Sequence, residues 1–517
     1  MKNLSRRQMV SALGLGIGAP LFLNGCGKKT NTNGVLRVAL RGGPDSLDPF
    51  RAEFAISALL FRQYFLPLVG YGKDGIASPD LAIAEKWTPN NDYTQWTFQI
   101  KPNLKFSDNS PLGPQEVLNS FYHAANWKTA YPDAPEIFGI KGFKKAFLEK
   151  LDPKTIAVHI ISNNEIQIDL DGADAAFPER MQEFYPVPVH IIEKFGEQWT
   201  NVEKIVVSGP FIPKIYTQTR LRFEKNELGG WSSQMPQAIE IEAVDDASTR
   251  IRLFQSGDVD LAQDPSLLRF AGLQKEYGDS FKRYKAPALI YLSFNTKRPQ
   301  FTNIDIRYAL SLAFDRTKVS HNILRDAVEP ATRFVRSEPQ IIADKAKAKA
   351  IMEKNGFTLA NPLRFELIVA KDERERAAIE MINQWKEIGV EAIITTVESS
   401  AISARLNGFD FDCAIVRIDK GMKSDPLDLM GSFADGGNAY SHQWKNSNFD
   451  VALEKARAIG EPAARKAALI AAEKFMLEEV PIMPIWFSDS AWLQNKRVIG
   501  GIEGMAPIIW PKLSLKE

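Results

Sequence analysis

From Val35 onward, apolar and polar residues alternate in two rhythms. Val35-Leu36-Arg37-Val38-Ala39-Leu40 is a mostly apolar run of strand length, stopped by Gly42-Gly43-Pro44. Trp96-Thr97-Phe98-Gln99-Ile100-Lys101 alternates apolar and polar positions, which predicts a half-buried strand. Pro102-Asn103 then turns the chain, and Asp108-Asn109-Ser110-Pro111 predicts a second turn. Gly113-Pro114 opens a helix with proline at the first helical position, where its missing N–H costs nothing. After Asn303 the period lengthens. Ile306, Ala309, Leu310, Ala313 and Phe314 make one helical stripe, with Asn303 or Asp305 able to cap it. Ala378, Ile382 and Trp385 predict another helix ending at Gly389, followed by a strand from Val390 to Val397. An alanine-rich stretch predicts a helix from Ala463 to Leu477. The apolar segment from Val480 to Phe487 carries Pro481 and Pro484, which predicts an edge strand or a strand at a domain crossing. Strands and helices alternate throughout, so the class is α/β.

The first residues follow neither rhythm. Lys2, Arg6 and Arg7 precede an apolar stretch from Met9 to Leu23 that is too short to span a bilayer. Residues 1–25 therefore read as a cleaved export signal. Leu23-Asn24-Gly25-Cys26 resembles a lipobox, which makes Cys26 the acylated first residue of the mature chain. Asn24 stands where a small or hydroxyl residue is usual. Ser5-Arg6-Arg7-Gln8-Met9-Val10 resembles the twin-arginine export motif. Residues 26–34, rich in glycine, asparagine and lysine, read as a flexible tether.

Charge and chemistry exclude more than they select. The full chain carries a net charge of +1, and loss of Lys2, Arg6 and Arg7 leaves −2, which argues against nucleic acid as a partner. Of two cysteines, Cys413 lies in a strand-like run and reads as a buried small hydrophobe. The chain has no Gly-x-Ser-x-Gly, Ser-x-x-Lys, phosphate loop or His-Glu-x-x-His. Its five histidines lack metal-ligand spacing, so neither an enzyme nor a metal cofactor is expected. A body of about 490 residues implies two or three soluble domains.

Several segments, in order, resemble the family 5 extracellular solute-binding proteins of ABC importers. These include Ser46-Leu47-Asp48-Pro49, Glu85-Lys86-Trp87, Trp96-Thr97-Phe98, and Lys105-Phe106-Ser107-Asp108-Asn109-Ser110-Pro111. Pro186-Val187-Pro188, Ser208-Gly209-Pro210-Phe211, Phe294-Asn295-Thr296 and Arg307-Tyr308-Ala309-Leu310 follow. The resemblance implies a two-lobed, periplasmic-binding-protein-like clamshell of type II with an extra inserted domain. It places a discontinuous first lobe at 35–66, 190–290 and 487–517, the insert at 67–189, and the second lobe at 291–486. It also implies a monomer without a cofactor that traps a solute, most readily an oligopeptide, and presents it to an inner-membrane permease.

In peptide-binding members the ligand pairs with short protein strands. The resemblance puts one at Glu53-Phe54-Ala55 and the other at Arg417-Ile418-Asp419, ahead of Pro426. Peptide binders carry an aspartate four residues before that proline to hold the ligand ammonium, but here the position is Met422. Either Asp419 or Asp425 supplies the charge, or the ligand lacks a free amino terminus. Arg417 is a candidate for a ligand carboxylate. Tyr440, His442, Trp444 and Trp486 are candidate contacts near the cleft. A metal chelate or haem as ligand, and a lipoprotein that no longer transports, stay open as alternatives. So does the choice between inner and outer membrane, since Gly27 follows Cys26.

Overall fold

The computed structural model describes residues 34–72, 75–336, 341–419, 425–435, 437, 439, 442–501 and 509–516. The targeting segment with Cys26, and Tyr440, lie outside the described residues.

One mixed sheet organises the chain. Its main strands are β1 (Val35–Leu40), β2 (Phe211–Tyr216), β3 (Arg220–Lys225), β4 (Ala238–Ala243), β5 (Leu261–Gln263), β6 (Phe281–Phe294), β7 (Leu363–Ala370), β8 (Val390–Val397), β9 (Cys413–Asp419) and β10 (Ile482–Gln494). Their spatial order is β8-β7-β9-β6-β10-β5-β1-β4-β3-β2. β1 is buried at four of its six residues because it lies between β4 and β5, parallel to both.

The long strands β6 and β10 join two apolar clusters. Phe281 at the start of β6 and Leu493 at the end of β10 share one with Ala39 and Ile251. Ile290 and Leu292 of β6, with Met483 and Ile485 of β10, belong to another. Between these halves the register breaks. Tyr284 faces Ser490 and Ala288 faces Ser488, so three residues of β6 oppose Asp489 alone. The Asp489 carboxylate accepts from Arg283 Nε at 2.8 Å and Arg336 Nη2 at 3.1 Å, which braces the bulge.

The edge-strand alternative for residues 480–487 is corrected. β10 is central, between β5 and β6, and so takes the crossing alternative. Val480 ends the helix Pro462–Glu479 with φ 46°, and the strand starts at Ile482. Pro484 is tolerated because it faces Tyr291 where the register shifts again, so its missing N–H falls at a break in the ladder.

Other expected elements form where the patterns put them. The strand Gln95–Ile100 buries Trp96, Phe98 and Ile100 and leaves the alternate face half-buried, within a four-stranded antiparallel sheet. The helix Pro114–Ala125 has Pro114 at its first turn, and the Glu116 carboxylate accepts from Gly113 N–H at 2.9 Å. Asn109 takes φ 70° in the expected turn. The helix Ile304–Ala313 is capped by Asn303, whose side chain accepts from Asp305 N–H, and its apolar stripe is buried. Cys413 is a buried free thiol.

One continuous apolar core joins the four-stranded sheet to β1 and β3: Phe98 and Ile166 share it with Val38, Phe223 and Trp510. Residues from Leu289 to Phe487 build two further cores. Among the described residues no helix is long and apolar enough to cross a membrane.

Candidate functional site

A cavity of about 1470 Å³ opens over the crossing strands. Its floor is Ile290 and Tyr291 of β6 with Ser488, Asp489 and Ser490 of β10. The first lobe contributes Arg41, Glu53, Asp245, Arg250, Asp264 and an apolar flank of Leu267 and Phe270. The second lobe contributes Asp372, Glu373 and Arg374, the apolar Ile402, Leu406 and Phe409, and the strand from Val416 to Asp419.

That strand is β9, and its pairing is incomplete. On one side it pairs with β6 through to Asp419, which faces Ala288. On the other side β7 meets it only at Cys413 and Ala414, because β7 continues beside β8 instead. Among the described residues, no strand pairs with the far edge of Val416 to Ile418. Asn295 N–H donates to the Asp412 carbonyl, and from that register the Arg417 N–H and C=O turn to the outer edge beside the cavity, the arrangement that accepts an added strand.

Most lining charges are already engaged. Arg417 Nη2 donates to Asp419 Oδ2 at 2.6 Å. Burial acts to lower the Arg417 pKa, but Asp419, Asp264 and Glu373 outweigh it and hold it above the usual value. Asp372 caps the helix Glu373–Lys386, and its carboxylate also holds the Arg374 guanidinium, with Nη2 at 2.6 Å. Arg250 donates to four carbonyls, those of Val244, Asp245, Gln263 and Asp264, and so fixes the wall beneath the first-lobe carboxylates. Burial raises the Glu373 carboxyl above its ordinary range, and Asp372 adds to that.

The sequence candidates divide. Glu53, Arg417, Ile418 and Asp419 line the cavity. Glu53 and Phe54 do not offer an open donor edge, since both backbone N–H groups point to Asp45, at 2.6 and 3.3 Å. Phe54 caps the helix Ala55–Tyr64, so Ala55 is helical, not extended. Asp425 is not in the cavity. It caps the helix Pro426–Gly431 and pairs with Arg465 at 3.0 Å, its side chain 6% exposed. Trp444 is buried and donates from Nε1 to Glu479. Trp486 is buried in the second-lobe core. His442 is a buried ring whose Nδ1 accepts from Trp444 N–H, and burial lowers its pKa to about 4. Asp245, Arg250, Asp264 and the Asp372-Glu373-Arg374 run were not singled out from sequence. Asp372 ahead of a helical period is a cap signature that points at the last of these. Among the described residues no group of three or more histidine, cysteine or carboxylate side chains could hold a metal.

A polar cavity over two long strands, with the outer edge of another strand in its wall, has room to enclose a solute. The family model of the bacterial extracellular solute-binding proteins, family 5 (middle region), matches residues 78–441. The chain belongs to this family. It is a solute-binding protein and not an enzyme. It is 25% identical to the probable deoxycholate-binding periplasmic protein YgiS of Escherichia coli over 474 residues, covering 88% of each chain. It is 24% identical to the periplasmic oligopeptide-binding protein OppA of Escherichia coli, covering 90% of this chain and 88% of that one. The solved structure of the Escherichia coli murein tripeptide binding protein MppA superposes with a TM-score of 0.80 at 22% identity, over 93% of this chain and 98% of that one.

Proposed function

We propose that this receptor captures short peptides between its lobes and delivers them to an ABC permease, held near the membrane by lipid on Cys26. The observation that carries the reading is the outer edge of Val416 to Ile418 in the cavity wall, which no strand among the described residues covers. Backbone pairing binds a peptide without reading its side chains. The cavity also holds carboxylates and guanidiniums on both sides, which suits a zwitterion. With Asp425 bound to Arg465, Asp419 and Glu373 are the carboxylates near that edge for a ligand ammonium. The residue ranges given for the lobes and the insert belong to the same proposal.

A second reading has its own support. YgiS is named for a bile acid, and the apolar side chains Phe270, Leu406 and Phe409 share this cavity with Arg41. Arg41 has no ion-pair partner among the described residues, so an amphipathic carboxylate could place its charge there. Isothermal titration with trialanine, N-acetyl-trialanine and deoxycholate separates the readings. The peptide reading expects trialanine to bind and deoxycholate not to; the reverse result overturns it. Palmitate labelling of the wild type but not of Cys26→Ser tests the lipid.

A further inference from the structure

Away from the cavity, the insert touches the second lobe through a buried ionic knot. Arg180 ends a short helix of the insert, with only 9% of its surface exposed. Its Nε donates to Asp174 on its own side at 2.6 Å, and its Nη1 donates to Asp428 of the second lobe. Asp174 also faces Arg457 Nη1 at 3.5 Å, and Ala175 N–H donates to the Arg457 carbonyl at 2.9 Å. The fit is close: a Cβ added at Gly460 of the second lobe would lie 2.0 Å from the Tyr93 hydroxyl of the insert. None of these residues lines the cavity.

The insert shares its apolar core with the first lobe, so it moves with that lobe when the clamshell opens. The knot then lies across the moving junction. Opening must separate Arg180 from Asp428 and either rehydrate both or leave them unpaired. We propose that Arg180, bound to Asp174 on its own side and Asp428 across the junction, is a latch that holds the lobes closed and thereby sets solute affinity without touching solute. This rests on two-lobed closure and not on which solute is bound. Closed-state population enters affinity directly, because the apparent dissociation constant is the intrinsic one divided by the competent fraction.

The test uses Arg180→Met, Asp428→Asn and Gly460→Ala in a Cys26→Ser background. The last wedges the junction without altering a charge. Spin labels on Lys154→Cys and Lys466→Cys, both exposed, report lobe separation by pulsed electron resonance. Each variant is expected to shift the distances outward. Arg180→Met is expected to weaken trialanine by at least about 10-fold, the cost of an unpaired buried ion. Arg180→Met with Asp428→Leu, an apolar pair, should recover part of that loss. Unchanged distances in folded variants overturn the latch. If wild type does not bind trialanine, the peptide reading fails and the label distances still decide. If Arg180→Met does not fold, Gly460→Ala carries the same comparison.

Discussion

Methylating single amides of a bound peptide probes the outer edge of β9 directly. Among the described residues, Val416 to Ile418 pair with β6 on one side only. In an antiparallel pair, alternate residues direct both N–H and C=O outward, and the register set by Asn295 and Asp412 makes Arg417 the outward one, so it offers two bonding groups to the cavity. At about 1 kcal/mol net each, they contribute about 2 kcal/mol. Micromolar binding totals about 8 kcal/mol, so this edge carries about a quarter of it. N-methylation of a ligand amide that donates to the edge removes one bond and sets a methyl against a carbonyl. The expected loss is about 1–2 kcal/mol, or roughly 5- to 30-fold in Kd. Because the pattern has period two, methylation should hurt at the one ligand residue that faces Arg417 and leave its neighbours nearly unchanged. Titration calorimetry on tetra-alanine and its single N-methyl variants reads this directly. Equal losses at neighbouring positions, or no loss at any, would refute strand addition.

Asp260, fully buried, accepts from Arg37 Nη2 at 3.1 Å and from Arg497 Nε and Nη2 at 2.6 Å, so Asp260→Asn should cost about 1.5–3 kcal/mol in urea unfolding by weakening charge-assisted bonds to two partly buried guanidiniums. Arg250→Met leaves four carbonyls without their donor; it should lower stability by at least about 3 kcal/mol in the same assay and weaken solute binding by loosening the cavity wall. His123 and His442 are held near 4 by burial, so the native state favours the neutral rings. Their contribution is complete above pH 6.5 and is lost as pH falls toward 4, about 3 kcal/mol each, and His442→Gln should flatten that slope in thermal melts. Glu179 runs the other way. With its carboxyl raised from 4.5 to about 7, the burial penalty is absent below 4.5 and grows as pH rises to 7, reaching about 3 kcal/mol, and Glu179→Gln should remove it.

Local pattern carried the reading of the fold further than that of the site. The period-two run at Trp96 and the stripe from Ile306 state their own burial, and both elements formed there. β10 was harder, because prolines speak against a central strand until the register breaks that absorb them are seen. At the site, Arg417 to Asp419 could be located because they precede Pro426 in a recognisable segment. Asp425 was misleading. An acid directly before a proline is also a helix-cap signature, and capping is the role it takes. The rest of the lining comes from elements far apart in sequence, Arg41, Asp264 and Glu373 among them, and only the sheet order brings them together.

That sheet order also governs how the molecule comes into being. β10, from the last tenth of the chain, is inserted between β5 and β6, and β1 from the beginning lies two places away. A nascent chain lacking residues 482–494 therefore leaves β5 and β6 each without one of its two partners, and the two halves of the sheet stay unjoined. Such long-range pairing folds slowly, so the chain stays open until synthesis is nearly finished. A threading export route meets an unfolded substrate for the whole of translation. A route that moves only folded cargo must wait for Gln494.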